Sequence, residues 1–103
     1  MSVLNLKVGF YGGAESLFDM QKEHSVTLPA SGPVSIADLL RYIKESMLLD
    51  KSRSHLLLDK ECKNVSPGIL VLINDRDWEL ADGPRTILSE GDSVTFISSI
   101  HGG

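Results

Sequence analysis

The residues best suited to chemistry stand together at the end of the chain, in Ser98-Ser99-Ile100-His101-Gly102-Gly103. Gly103 carries the only main-chain carboxylate, which ionises at a pKa of about 3.3–3.7 and is charged at neutral pH. Gly102 and Gly103 have no side chains, so the backbone there is flexible and narrow enough to thread a tight channel. Nothing beside the carboxylate shields it from an attacking phosphate or thiol. At a glycine usage of about 7%, a terminal pair arises by chance in roughly half a percent of chains, so the ending asks for a reason, truncation being the plain one. About five residues past an apolar strand extend roughly 15 Å at ~3.3 Å each, which suits a projecting chemical handle.

Other reactive types are scattered. Cys62, the only cysteine, lies between Glu61 and Lys63. Lys60 and Lys63 would favour a reactive, sulfur-accepting thiolate, but Glu61 opposes them, and an idle thiol on a loop is the simpler reading. His24, His55, His101 and Cys62 show no metal-ligand spacing. Asp75, Asp77, Glu79 and Asp82 form an acidic corner. It could steer a basic partner or hold a hard cation, and a solvated hairpin explains it more simply. Gly12-Gly13 lacks the spacing of a phosphate-binding or dinucleotide loop, and no nucleophile–base pair is visible.

The whole chain bounds these readings. At 103 residues it is one domain, large enough to bury a core without staples. Ten basic and fourteen acidic residues give a net charge of −4, which argues against nucleic-acid binding as the main function. No apolar run approaches the ~20 residues that span a membrane. The start, Met1-Ser-Val-Leu-Asn-Leu-Lys7, has no basic segment followed by an apolar one, so no secretory signal is expected. One cysteine permits no internal disulfide, which fits a reducing, cytoplasmic setting.

Several elements must position the tail. Leu4, Leu6, Val8 and Phe10 alternate with Asn5, Lys7 and Gly9, which predicts a half-buried strand ended by Tyr11-Gly12-Gly13. Residues 14–23 read as a loop pinned by Leu17 and Phe18, a short helical turn being the alternative. Ser25-Val-Thr-Leu28 reads as a second strand stopped by Pro29. Ser35 and Asp38 make a capping box. Ile36, Leu39, Leu40, Ile43 and Met47 follow at helical spacing, so a helix over 36–47 should lay one apolar stripe on a sheet. Residues 49–66 are irregular, with Leu56-Leu57-Leu58 a short strand or single turn. Ile69–Ile73 reads as a strand within the sheet, Asn74-Asp75 as a turn, and Asp77-Trp-Glu-Leu80 as a short returning strand. Thr86-Ile-Leu88 is short. Glu90-Gly-Asp92 turns into the last strand, Ser93–Ile97, which delivers the tail.

Strand, strand, helix, strand, short strand, strand and tail make an α+β chain of the β-grasp (ubiquitin-like) kind. The expected sheet is mixed, of about five strands, with one main helix across one face. Residues 1–98 form the domain and 99–103 a flexible tail. Specific runs carry a family resemblance: Pro67-Gly-Ile-Leu-Val-Leu-Ile-Asn-Asp-x-Asp-Trp-Glu-Leu80, Gly91-Asp-Ser-Val-x-Phe-Ile-Ser98 and the closing His101-Gly-Gly. Gly12-Gly-Ala-Glu15, Phe18-Asp19 and His24-x-Val-Thr-Leu-Pro29 add to it. Together these resemble the ubiquitin-related modifier family, the sulfur carriers of eukaryotic tRNA thiolation. Residues 51–64 match poorly, so nothing is carried over to Cys62.

The resemblance implies a non-enzymatic co-substrate with no cofactor of its own. An activating enzyme using ATP and magnesium would adenylate Gly103, reading Ile100, His101 and Gly102 on the way. A persulfide on a rhodanese-type domain would then leave a thiocarboxylate. The sulfur would pass through a separate tRNA thiolation complex to a wobble uridine, or the same terminus would acylate lysines of target proteins. It further implies a monomer that binds neither nucleic acid nor membrane directly; it does not name the surface that docks on the activating enzyme, for which the sheet face near the tail is the candidate. Two rival readings are a small sulfur-carrier subunit for molybdopterin-type cofactor synthesis and a ubiquitin-like interaction module that is never activated.

Overall fold

The computed structural model describes residues 2–98 of the chain. Strands β1 (Ser2–Tyr11) and β2 (Glu23–Ala30) pair antiparallel from Ser2 opposite Ala30 to Gly9 opposite Glu23. Pro29 does not stop β2, as its sequence suggests, but pairs with Val3 inside it. The sheet order β2-β1-β5-β3-β4 makes β2 an edge strand, where a residue without an N–H is tolerated. Between the two strands, Ala14–Phe18 is a 3₁₀ turn that buries Leu17 and Phe18. The helical alternative for this loop is the one realised.

Helix α1 (Ile36–Tyr42) begins at the expected box. Ser35 Oγ accepts the Asp38 N–H at 3.3 Å, and the Asp38 carboxylate accepts the Ser35 N–H at 2.9 Å. The apolar stripe continues through Ile43–Met47, but this last turn is wound wider, as a π-helical turn. Leu48 N–H bonds back to the Ile43 carbonyl at 2.9 Å, and Leu48 is buried. Ile36, Leu39, Leu40 and Ile43 are fully buried. They share one core with Leu6, Val8 and Phe10 of β1 and Val26 and Leu28 of β2. Each such side chain is worth about 1.5–3 kcal/mol of apolar burial.

The residues after α1 are less regular but not idle. Asp50 caps a 3₁₀ turn over Lys51–Leu56 by accepting the Ser52 N–H. Leu57 and Leu58 are buried, and Leu58 bridges Val65. Cys62 lies outside the helices and strands, on the loop expected for it, and its thiol is free and buried against the core. Strand β3 (Ile69–Ile73) forms as expected. The returning strand β4 spans only Arg76–Asp77, not Asp77–Leu80. Asp77 accepts the Glu79 N–H at 2.9 Å and winds Trp78–Leu80 into a 3₁₀ turn, because a short carboxylate competes with the ladder for backbone donors. The Thr86–Leu88 segment docks on the start of α1. Ile36 N–H donates to the Thr86 carbonyl at 2.9 Å, and Leu88 N–H to the Val34 carbonyl at 2.8 Å.

Strand β5 (Ser93–Ser98) lies between β1 and β3, parallel to the first and antiparallel to the second. Phe96 of β5 stands opposite Phe10 of β1. Phe10 stacks on Phe18 at 3.8 Å and on Phe96 at 5.5 Å between ring centroids. The fold is thus a mixed five-stranded β-grasp sheet with one main helix, an α+β architecture. Phe10→Ala is expected to cost about 3–5 kcal/mol in denaturant unfolding. Leu80→Ala, at a residue 80% exposed, is expected to change stability by less than about 0.5 kcal/mol.

Candidate functional site

The last described strand is held at both of its ends. At its start, Gly91 N–H donates to the Asn5 carbonyl at 2.8 Å and Lys7 N–H to the Asp92 carbonyl at 2.9 Å. Glu90 adds a two-pronged link. Its carboxylate accepts the Asn5 N–H at 2.9 Å and the Asn5 side-chain amide at 3.0 Å. Those two donors, the backbone one first, hold the Glu90 carboxyl below its ordinary range.

At the far end, Ile97 stands opposite Tyr11 and Ser98 opposite Ile69. Gly12 closes over this point with φ +70°, and a Cβ there would lie 2.4 Å from the Ser98 carbonyl oxygen. Only glycine permits that approach, so the loop after β1 fixes where the chain leaves the sheet. Beside it, the Tyr11 ring lies across Gly9, where a Cβ would meet the ring edge at 2.8 Å. Tyr11 Oη donates to Glu23 Oε2 at 2.7 Å, which together with the Glu23 charge raises the tyrosine pKa. Leu70, 39% exposed, stands opposite Ile97 on the neighbouring strand. The sheet surface at the root of the tail therefore offers Tyr11, Leu70 and Ile97 together.

The reactive residues named from the sequence divide sharply. Ile100, His101, Gly102 and Gly103 lie outside the described residues. The other candidates are not brought together. His24 packs edge-on against Phe10 and Phe18 at 5.4 and 5.8 Å, with Nε2 2.9 Å from the Gln21 carbonyl. Cys62 is buried away from it among core residues. The acidic corner is partly absorbed by turn formation, since the Asp77 carboxylate caps one turn by accepting the Glu79 N–H at 2.9 Å. Among the described residues no three of His, Cys, Asp and Glu converge on a point that could hold a metal. The helices there include none long and apolar enough to cross a membrane.

One feature escaped sequence reasoning. A groove of about 460 Å³ opens beside the root of the tail, with Ser98 on its wall. It joins the 12–17 turn, the Lys51–Leu56 turn and residues 66–69. No local pattern signals it, because its walls come from segments remote in sequence.

With that geometry in place, likeness to known proteins becomes informative. The family model described as Urm1 (Ubiquitin related modifier) matches residues 5–103. The Gallus gallus protein named "Ubiquitin-related modifier 1" is 50% identical over 101 residues, covering 97% of this chain and 96% of its own. The Aspergillus oryzae protein of the same name is 43% identical over 104 residues, covering 97% of this chain and 84% of its own. The solution structure of Urm1 from Trypanosoma brucei superposes with a TM-score of 0.76 at 37% identity, covering all of both chains.

Two consequences of the clamped strand are measurable. Gly12→Ala is expected to destabilise the fold by more than about 1 kcal/mol and to move the Ser98 amide resonance, since strain and a backbone clash add. The Glu90 link obeys a definite sign. A carboxyl ionised more readily when folded stabilises above its ordinary value of 4.5, and that contribution is lost as pH falls through the lower folded value. Unfolding at a series of pH values should show wild type ahead of Glu90→Gln at neutral pH, with the gap closing in acid. A gap independent of pH would disprove the link.

Proposed function

The chain belongs to the Urm1, ubiquitin-related modifier, family, and from that membership we propose that it is a sulfur carrier activated at the carboxylate of Gly103. The observation that carries the reading is the full-length family match, which runs through the Gly102-Gly103 ending. The fold supports it, because β5 is the last strand among the described residues and sits at the centre of the sheet, so the residues after Ser98 start from a fixed point.

The chemistry follows from a carboxylate that cannot itself be displaced. A Gly103 oxygen attacks the α-phosphorus of ATP on a partner enzyme, with magnesium, and pyrophosphate departs. The acyl adenylate then carries AMP as a good leaving group. The terminal sulfur of an enzyme persulfide, on a rhodanese-type domain, attacks the acyl carbon and AMP leaves. A second enzyme thiol breaks the resulting S–S bond by forming a disulfide with the first sulfur, releasing the thiocarboxylate on Gly103. Ile100, His101 and Gly102 give the enzyme a narrow, recognisable lead to that carbon. Apart from the Gly103 carboxylate that is itself transformed, the chain contributes no acid, base or nucleophile to these steps in this reading, and its role is that of a co-substrate.

The thiocarboxylate sulfur then goes to a tRNA wobble uridine through a separate thiolation complex in the cytoplasm. Acylation of a target lysine by the same activated terminus is the second use, favoured by the modifier name that the relatives share. The family match ranks a molybdopterin-type carrier below both. A module that is never activated would leave the glycine pair without a task.

Intact mass of the protein recovered from its native cells, with and without iodoacetamide, tests the reading. Sulfur for oxygen at the carboxyl adds the same nominal mass as methionine oxidation, but only a thiocarboxylate is alkylated. The measurement is made on Cys62→Ala, which removes the competing thiol without placing a hydroxyl in the core. One alkylation mapped to the Gly103 peptide is expected, and deletion of Gly102 and Gly103 should abolish it. A terminus that stays an unmodified carboxylate in cells with active sulfur transfer would sink the carrier reading.

A further inference from the structure

The groove at the root of the tail has a composition at odds with the rest of the chain. On a protein of net charge −4, its open side carries Arg53 and His55, both exposed. The two ion pairs among the described residues are Arg41–Asp38 and Lys63–Glu61, so Arg53 has no described carboxylate within 4 Å, although, after the Ser52 hydrogen bonds, its charge helps hold the Asp50 carboxyl below its ordinary range. Nearby acids are turned to local tasks. Glu15 accepts the Gly13 N–H at 2.8 Å, and Asp50 accepts from Ser52. His55 is held in place rather than swinging free. Its Nδ1 lies 3.2 Å from the Ser52 carbonyl, and its own carbonyl accepts Ser66 Oγ–H at 2.6 Å.

An apolar surface accompanies the charge. Leu17 and Ile69 line the groove, and Leu56 stands on its lip 47% exposed, while Leu57 and Leu58 next to it are buried. A guanidinium beside an uncovered leucine matches a carboxylate beside an apolar side chain. Arg accepts a carboxylate in a two-pronged, charge-assisted pair, and covering Leu56 adds apolar burial. Position selects the partner. Ser98 is part of the groove wall and five extended residues span only about 15 Å, so an enzyme that takes them in works within that distance of the groove.

We propose that this groove receives an acidic side chain flanked by an apolar one, presented by the enzyme that activates Gly103, as a contact separate from the tail. The proposal rests on the reading that Gly103 is activated by adenylation. It gives the folded body a share in substrate selection, since any protein can end in two glycines but few set a cationic, leucine-edged groove beside them.

The test is ATP–pyrophosphate exchange by the purified activating enzyme from the same source, with the full-length chain as substrate. Arg53→Glu is expected to raise KM about tenfold with kcat unchanged, the signature of lost docking rather than lost chemistry. Leu56→Ser should raise KM severalfold. Lys60→Glu makes the same change of net charge away from the groove and should leave KM where it was. All three side chains are exposed, so thermal melting is expected to confirm intact folding. An unaltered KM for Arg53→Glu overturns the proposal. A lowered KM overturns it too, and assigns the groove to the chain's own tail, released by charge reversal. Absence of exchange with the unaltered chain removes the premise, and this proposal with it.

Discussion

The parallel pairing of β1 with β5 is the constraint on which the rest depends. It joins the two ends of the described chain, from Lys7 opposite Ser93 to Tyr11 opposite Ile97. Parallel neighbours cannot be linked by a tight turn, so everything between them must cross the sheet and return. The helix is that crossing, and its buried stripe covers the face that β1 and β5 share. Phe10 and Phe96 meet one position before the end of the pairing, and Phe18 stacks on the first of them. Loss of that contact would loosen the core and the seat of the last strand together.

The same pairing separates folding from chemistry. β5 is bonded on both sides, so its position does not depend on the residues that follow it. Glu90 and Gly91 fasten its start to Asn5, and Gly12 closes over its end. A tail attached to such a strand begins from a fixed point, and a partner can find it by docking on the body. The Thr86–Leu88 segment does a comparable job on the opposite side, accepting a donor from the first residue of α1 and thereby setting where the crossing begins.

What the sequence made legible follows from how local each signal is. The alternation of Leu4, Leu6, Val8 and Phe10 and the Ser35–Asp38 box are readable because their partners lie within a few residues. The helix over 36–47 was legible in extent but not in winding, since a π turn leaves the stripe almost unchanged. Pro29 misled, because whether a proline ends a strand depends on being at a sheet edge, which is a property of the whole topology. Asp77 misled for a smaller reason, the competition of its carboxylate for the Glu79 N–H. Cys62 sits in a polar run, so nothing local announces its burial. The groove was invisible for the strongest version of the same reason. Function, by contrast, was read from the terminal residues and the motif runs that precede them, not from any arrangement of side chains.

On the proposed reading the chain is a co-substrate that still needs a body, and the reason is energetic. The reacting group in that reading is one carboxylate on a glycine, identical in every chain that ends this way, and it offers an enzyme almost nothing to grip. Discrimination must therefore come from binding energy realised away from the reacting carbon and spent in placing it. In the proposed docking the fold offers that energy on a rigid scaffold, at the groove, with the Tyr11–Leu70–Ile97 surface beside it at the root of the tail. On that reading the five residues after Ser98 reach roughly 15 Å into the enzyme, the last two of them bare of side chains. On this view the glycines and the folded body answer opposite needs. One must be featureless enough to enter the enzyme, and the other distinctive enough to be chosen by it.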